Sequence, residues 1–251
     1  MCRLVIRVRK PFRKGSYMRR RSDCAKVKTR GSEGIRLIGL KLKTMLTKGG
    51  RTKEHIIASA AAIFNVKGFA GTSIGDILEA TGLEKGGLYR HFASKDELAV
   101  AAFDYAVRML EARRISAQAR TTTALERLRG YVDTVAASIA KPPLPGGCPI
   151  LNTAIEADDT HAELRQHAAR AMRHWQARVM EAVKDGVARD ELRPDVDAAA
   201  TASILTSTLE GAIMVTALLR EPAHMKRVAS HLHAYLESLR SQRVRKYRAA
   251  K

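Results

Sequence analysis

Several side chains between residues 72 and 98 carry hydrogen-bond donors or positive charge, which is the chemistry that a polyanion requires. Hydroxyl, imidazole and basic groups donate to phosphate oxygens, and an arginine also reads the edge of a guanine. Glycine contributes differently, since a missing side chain lets a backbone come close to a ligand. The candidate contacts are Thr72, Ser73, Lys85, Gly86, Gly87, Tyr89, Arg90, His91 and Lys95. We interpret this segment as a surface that binds double-stranded DNA.

Two short helices joined by a tight turn must position these residues. The pattern predicts a helix over about 73–81, capped by Thr72 or Ser73, then a turn at Gly82 and a second helix over about 84–92. Such a helix-turn-helix places its second helix in the DNA major groove. A loop in place of the second helix is the alternative, because its two glycines each cost about 1 kcal/mol relative to alanine in a helix.

The rest of the chain is also predicted to be helical, with no strand of reliable alternation in its body. Apolar residues at three- and four-residue spacing predict a helix over 52–68, with Thr52 as its cap and Gly68 as its end. Ser94 and Glu97 form a capping-box pattern that opens a long helix reaching about residue 114. Further helices are expected over 123–140, 149–157, 160–189, 196–219 and 222–240. The expected fold class is therefore all-α.

The composition favours a polyanionic partner and excludes several classes of protein. Lys and Arg number 45 against 25 Asp and Glu, which gives a formal net charge of +20. The first 50 residues hold 16 of these basic residues and only two acidic ones. Apolar residues make up 45% of the chain, enough to bury a core, so disorder throughout is excluded. Three scattered cysteines, Cys2, Cys24 and Cys148, exclude a disulfide scaffold and predict a cytoplasmic protein.

Three explanations compete for the basic segment 1–44. It is a disordered arm that binds DNA phosphates, an arginine-rich targeting segment, or a stretch that is not normally translated. We favour the third, with Met45 as the working start and Met18 as another candidate, because the segment shows neither a clean helical period nor an ordered pattern of turns. The expected organisation is a basic extension (1–48), a three-helix DNA-binding domain (49–96), a larger helical ligand-binding and dimerisation domain (97–240) and a basic tail (241–251).

A run of short motifs spans the predicted DNA-binding domain: Gly68-Phe69, Thr72-Ser73-Ile74, Ala80-Thr81-Gly82-Leu83, Lys85-Gly86-Gly87-Leu88-Tyr89, His91-Phe92 and Ser94-Lys95. Together they resemble the tetracycline-repressor (TetR) family of transcription regulators over residues 50–100. The resemblance implies a homodimeric repressor that binds a palindromic operator through its third helix and is released by a small molecule. Gly75 departs from the pattern, because some members carry a base-reading side chain there. Operator readout is therefore expected to depend more on Lys85 and Arg90.

A second resemblance lies further along the chain, where Gly146-Gly147-Cys148-Pro149 is followed by Leu151-Asn152 and Glu156. This pattern is similar to the effector domains of LmrA and YxaF-like repressors. We predict an effector pocket that includes Cys148, Asn152, Met172 and Trp175. Pro149 suits the first turn of a helix, which places Cys148 at a helix N-terminus. Its thiol is then either a buried apolar residue, which we favour, or a thiolate of lowered pKa that reacts with electrophiles.

The segment 196–219 is long and mostly apolar, so it needs a test against a membrane-spanning helix. Its central acid, Glu210, would cost about 2.5–3.5 kcal/mol on insertion. We therefore interpret the segment as a buried or interface helix and predict no membrane partner. Together with Leu232, Leu236 and Leu239 on the last helix, it is expected to form a four-helix interface between two subunits.

Other functions lack a comparable pattern. His161, His167 and His174 fall near one stretch of helix, which a half-exposed helix face also produces, so neither a metal nor a cofactor is predicted. A phosphate-binding glycine loop, a Ser-His-Asp order and a cysteine pair are all missing, which argues against an all-α enzyme. The remaining alternative is a non-specific architectural DNA-binding protein that uses its basic arms. A regulator prefers its own operator over bulk DNA, whereas an architectural protein binds without such a preference.

Overall fold

The computed structural model describes residues 47–119 and 121–241. The segment with the candidate start at Met45 and the tail from residue 242 lie outside the described residues. Within them, one isolated antiparallel bridge joins Leu192 to Arg240. The helices of the described part are α1 (Lys48–Lys67), α2 (Ile74–Thr81), α3 (Lys85–Tyr89), α4 (Lys95–Gln118), α5 (Ala124–Ala140), α6 (Pro149–Ala157), α7 (Ala162–Ala188), α8 (Ala198–Leu219) and α9 (Pro222–Ser238). The all-α fold class is confirmed.

The first three helices share a small core with the start of α4. Ile56 of α1, Ile77 of α2 and Leu88 of α3 are each at most 1% exposed. Phe92 and Leu98 complete the same cluster. Burying a side chain of this size contributes about 1.5–3 kcal/mol. This packing fixes which side of the short helix α3 faces solvent.

Capping explains where α2 begins and ends. The Ser73 hydroxyl accepts from the Asp76 amide at 3.1 Å, and the Asp76 carboxylate accepts from the Ser73 amide at 2.8 Å. This reciprocal pair satisfies two amides that the helix leaves unpaired, so of the two predicted caps the structure selects Ser73 over Thr72. Gly82 closes the helix with φ of +67°, which confirms the predicted left-handed turn.

One predicted helix start and one predicted capping contact need correction. Thr52 does not cap α1, because its hydroxyl donates to the carbonyl of Lys48 at 3.1 Å and the helix begins one turn earlier. Ser94 caps α4 as predicted, accepting from the Glu97 amide. However, the Glu97 carboxylate accepts from the amide of Ala93 at 2.6 Å instead of reaching back to Ser94. Periodicity alone does not distinguish a threonine cap from a threonine that bonds back within a helix.

The helices α5, α7, α8 and α9 form a second core around Trp175. Leu209 of α8 is fully buried there. Leu232, Leu236 and Leu239 also belong to this core, at no more than 5% exposed. The prediction that these three leucines face a second subunit is therefore wrong. Their helical spacing indicated an apolar face correctly, but α9 packs this face against its own chain.

The helix α8 has two different apolar faces. Leu205 and Leu209 pack into the core, whereas Ile204, Met214 and Leu218 are 43%, 49% and 75% exposed. By length and composition alone α8 is apolar enough to cross a membrane, and 39% of its most apolar stretch is buried in the protein. Core helices of soluble proteins pass the same test, so the finding is weak evidence for a membrane span. The exposed face is an unpartnered apolar stripe.

Candidate nucleic-acid interface and ligand cavities

Leu88 packs α3 against the core, while the polar side chains of this segment extend to solvent. Lys85 and Arg90 are exposed, and Tyr89 is 42% exposed. The two glycines, Gly86 and Gly87, both lie within the helix α3, so the loop alternative is wrong. An added Cβ at Gly86 would meet nothing within 4 Å, which leaves the backbone accessible. The major groove of a DNA duplex can therefore approach the backbone of α3 at Gly86.

The start of α2 offers a second polar position. Ser73 is exposed and its hydroxyl donates to Asp76 at 2.9 Å. Thr72 is only 1% exposed, and its hydroxyl donates to the carbonyl of Gly68 at 2.6 Å. The Thr72 side chain therefore stabilises the turn before α2. Unlike Ser73, it does not reach the protein surface. Lys67 pairs with Asp76 at 2.6 Å.

The pKa of Asp76 is lowered to about 2, first by its hydrogen bond to Lys67 and then by those to Ser73. Its carboxylate is therefore ionised throughout the physiological range. Its charge is matched by the Lys67 ammonium, so a phosphate that approaches Ser73 does not meet an isolated acid.

Two of the remaining predicted contacts are less free. Lys95 donates to the carbonyl of Phe69, and its ammonium lies 4.2 Å from the centre of the Phe69 ring. His91, two residues after the end of α3, is half-buried. Gly75 is exposed, and an added Cβ would have only the Ser73 hydroxyl within 4 Å. There is room for a side chain here, but glycine offers none to DNA. The exposed basic groups of this segment are Lys85 in α3 and Arg90 directly after it.

A carboxylate on α6 joins that helix to the turn between α1 and α2. Glu156 accepts from the amides of Phe69 at 2.7 Å and Ala70 at 2.8 Å. We call this arrangement the Glu156 clamp. Gly68 sits directly beneath it with φ of +76°, and an added Cβ would lie 2.7 Å from the Glu156 carboxylate. Only glycine meets both conditions without strain.

Two asparagines extend this joint. The Asn65 amide group donates to the carbonyls of Pro145 at 2.6 Å and Gly147 at 3.1 Å. The Asn152 amide group donates in turn to the Asn65 side-chain oxygen at 3.0 Å. The C-terminal end of α1 is thereby held to both the proline-rich loop and α6. These contacts and the Glu156 clamp connect α6 to the segment that precedes α2.

Two cavities border α6. The larger, about 200 Å³, lies between α1, α4 and the α6–α7 region, and Asn152 is among the residues that line it. The smaller, about 60 Å³, is lined by Cys148, Arg114 and Glu210 with apolar neighbours. Of the predicted pocket residues, Met172 and Trp175 line neither cavity, and Trp175 is packed in the core at 1% exposed. The four predicted residues are therefore not brought together around one space.

Cys148 occupies the predicted N-terminus of α6 but has the opposite of an activated environment. It is 7% exposed, and its thiol donates to Glu210 Oε1 at 3.1 Å. Burial, and next the charge of Glu210, raise the pKa of Cys148 to about 12. The thiol is therefore neutral near pH 7, because these effects outweigh the helix N-terminus.

A buried ion cluster beside the smaller cavity was not predicted. Glu210 is 5% exposed, and burial raises its pKa, opposed by its hydrogen bond to Cys148 and the charge of Arg114. Arg114 pairs with Glu111 at 3.0 Å and lies 4.2 Å from the centre of the Trp175 ring. In the sequence, this cluster was indicated only by Glu210 as an acid within an apolar helix. That pattern did not identify Cys148 or Arg114 as its neighbours.

Two histidines lie against carboxylates. His167 lies 2.8 Å from Asp104, and His233 lies 2.8 Å from Asp133. Within residues 47–119 and 121–241, no three histidine, cysteine or acidic residues converge as metal ligands would.

The chain matches known proteins over both regions. Residues 56–102 match the bacterial regulatory proteins of the tetR family, and residues 124–232 match a tetracyclin repressor-like C-terminal domain. The crystal structure of a TetR transcriptional regulator from Chloroflexus aurantiacus J-10-FL has 43% sequence identity and a TM-score of 0.75. That similarity covers 76% of this chain and 97% of the other.

Two regulators of Bacillus subtilis (strain 168) are also similar. The HTH-type transcriptional regulator LmrA is 22% identical over 182 residues, which is 72% of this chain and 94% of LmrA. The uncharacterized HTH-type transcriptional regulator YxaF is 23% identical over 173 residues, 68% of this chain and 87% of YxaF. Both expected resemblances are confirmed. With its helix-turn-helix, its helical second region and these matches along its length, the chain belongs to the TetR family of DNA-binding transcriptional regulators.

Proposed function

We propose that this regulator is a repressor which binds a palindromic operator as a homodimer and is released by a small molecule. The observation that carries the proposal is the Glu156 clamp. It joins the helix-turn-helix to helices that border two cavities, so occupation of a cavity can alter the placement of α3. We propose a cytoplasmic location and no catalytic activity, which fit a DNA-binding regulator.

We propose that Lys85 and Arg90 read bases, while Ser73, Tyr89 and His91 contact phosphates. Exposure of the two basic side chains on either side of the buried Leu88 supports this division of roles. One bidentate contact between arginine and guanine contributes about 1–3 kcal/mol of discrimination. The backbone at Gly86 and Gly87 allows close approach. Lys95 supports the turn around Phe69 as well as offering positive charge near phosphate.

A dimer supplies the second half-site, since one short recognition helix buries little surface. The exposed stripe of α8 supports this assembly. Ile204, Met214 and Leu218 flank Gly211, where an added Cβ would meet nothing within 4 Å. Crossing helices can approach closely at such a glycine while the larger side chains bury apolar area on both sides. We therefore propose α8 as the centre of the interface, in place of the leucines of α9.

Selection of bound fragments from a random DNA library tests the function. The full chain is incubated with the library at about 150 mM salt, and bound sequences are enriched over several rounds. We expect two inverted half-sites one helical turn apart and a preference of roughly a thousandfold or more over bulk DNA. Equal binding to all fragments, with only a steep salt dependence, would instead identify an architectural DNA-binding protein.

A further inference from the structure

We propose that the cavity between α1, α4 and the α6–α7 region is an effector site for a small uncharged aromatic molecule that carries one hydrogen-bond-accepting oxygen. We call it the junction cavity. The effect of the molecule on DNA rests on the proposed repressor function, whereas its binding does not. Three properties of the junction cavity define this ligand: its walls, one buried donor and the charges around it.

The walls select an aromatic ring. Phe64, Phe69 and Phe103 line the junction cavity, and they are three of the five phenylalanines in the chain. Small side chains from α4 and α6 leave the open space between them, about 200 Å³. An apolar cavity of about 150 Å³ is large enough to bind benzene. Ring-to-ring contacts with phenylalanine add to the free energy of burial.

One buried nitrogen selects an oxygen acceptor. The Nδ1 of His161 accepts from the Leu164 amide at 3.2 Å, so a neutral ring carries its proton on Nε2. This Nε2 is buried and has no hydrogen-bond partner among the described residues; Asp96 Oδ1 is 3.8 Å away. His161 lines the junction cavity, and its ring meets Phe69 edge-on at 4.9 Å. A buried donor without a partner is costly. Because Nε2 itself has no exposed surface, the imidazole must turn toward the cavity for a ligand carbonyl to satisfy it.

The surrounding charges select an uncharged molecule. Glu156 lines the junction cavity and Asp96 lies beside His161, so an anion would be repelled. The ammonium of Lys95 over the Phe69 ring opposes a cation. Both oxygens of Glu156 already accept amide protons from Phe69 and Ala70, so this carboxylate does not require a hydrogen-bond donor from the ligand.

The same walls connect the ligand to DNA binding. Phe64 and Phe69 belong to α1 and the turn that leads into α2, whereas His161 begins the effector helix α7 at its cap. A ring inserted between them contacts both regions directly. Since Glu156 is both a wall and the clamp, occupation of the cavity changes the position of the turn from which α2 and α3 follow. The smaller cavity at Glu210 has no wall in the DNA-binding helices.

Calorimetry with three matched probes tests binding without DNA. Acetophenone has a ring and a neutral acceptor, ethylbenzene has the ring alone, and benzoate has an anionic acceptor. The full-length protein should bind acetophenone about five- to tenfold more tightly than ethylbenzene, which corresponds to one neutral hydrogen bond. Benzoate should bind most weakly. Absence of binding by both neutral probes, or equal affinity for them, overturns the proposal.

Two variants locate the bound probe. His161→Asn keeps a good helix cap but removes the Nε2 donor, so it should weaken acetophenone about five- to tenfold and leave ethylbenzene nearly unchanged. Thr153→Leu fills the junction cavity from a half-buried wall and should weaken both neutral probes at least tenfold. Glu210→Gln in the smaller cavity is the matched control and should change neither. Loss of binding in Glu210→Gln with retention in Thr153→Leu would place the ligand in the smaller cavity and overturn the proposal.

The selected operator then tests coupling. Saturating acetophenone should lower operator affinity in the wild type and not in Thr153→Leu. Binding to the junction cavity with unchanged operator affinity would overturn its assignment as an effector site. Failure of the repressor proposal is distinguishable, because it appears as the absence of sequence preference in the DNA selection before any probe is added.

Discussion

Replacing Glu156 by glutamine tests whether the Glu156 clamp stabilises the joint between the two regions. Glutamine is nearly the same size, so the wall of the junction cavity stays in place. It has one carbonyl oxygen, however, and its NH₂ group would face an amide donor of Phe69 or Ala70. The variant Glu156→Gln therefore loses one hydrogen bond outright and replaces a charge-assisted one by a neutral one.

The magnitude follows from the two contacts of 2.7 and 2.8 Å. Hydrogen bonds to a charged group contribute about 1.5–3 kcal/mol each when buried. Because the Ala70 contact is exposed, we expect a total loss of about 2 kcal/mol in the free energy of unfolding. For a chain of this size that corresponds to a fall of about 4–8 °C in melting temperature. Operator affinity should also fall, since the turn before α2 loses its support.

Urea unfolding followed by far-ultraviolet circular dichroism measures the stability, and fluorescence anisotropy with labelled operator measures DNA affinity. Glu181→Gln on α7 is the matched control, because Glu181 is exposed and lies in the middle of a helix. The control should stay within about 0.5 kcal/mol of the wild type. If Glu156→Gln also stays within that limit and binds operator normally, the clamp does not hold the two regions together.

Four further predictions concern operator readout, assembly, the N-terminal segment and the buried thiol. The double variant of Lys85→Ala and Arg90→Ala should lose at least about 2 kcal/mol of operator affinity in anisotropy titrations; full affinity would show that α3 does not read the operator. Gly211→Glu should yield a folded monomer by light scattering at micromolar concentration, since it places a charge in the α8 stripe; an unchanged dimer, or a wild type that is monomeric, contradicts the α8 interface. A protein that starts at Met45 should fold and keep operator preference while losing salt-sensitive binding to bulk DNA. Its single thiol is Cys148, whose pKa is raised to about 12. This thiol should react with maleimide at pH 8 about a thousandfold more slowly than a free thiol, and its rate should rise about tenfold per added pH unit. Rapid labelling of the native protein would mean that the thiol is exposed or ionised.

The sequence predicted what depends on near neighbours in the chain. The spacing of apolar residues identified the helices, and Ser94, Gly82 and Pro149 marked boundaries that the structure has. The helix-turn-helix is recognisable because its turn, its caps and its exposed basic side chains all lie within about thirty residues. Thr52 shows the limit of such reasoning. A threonine that caps a helix and one that donates to a carbonyl inside the helix give the same sequence pattern.

The tertiary structure decided which surfaces meet. A helical period shows that α9 has an apolar face, but it does not show that Leu232 and Leu236 face their own core rather than a second subunit. The Glu156 clamp joins residues 86 and 87 positions apart, and Cys148 meets Glu210 across 62 positions. The pKa of that thiol is therefore set by burial and by a distant carboxylate, not by the helix N-terminus that the sequence showed. Burial and charge act through space, so packing alone fixed the junction cavity, the clamp and the state of Cys148.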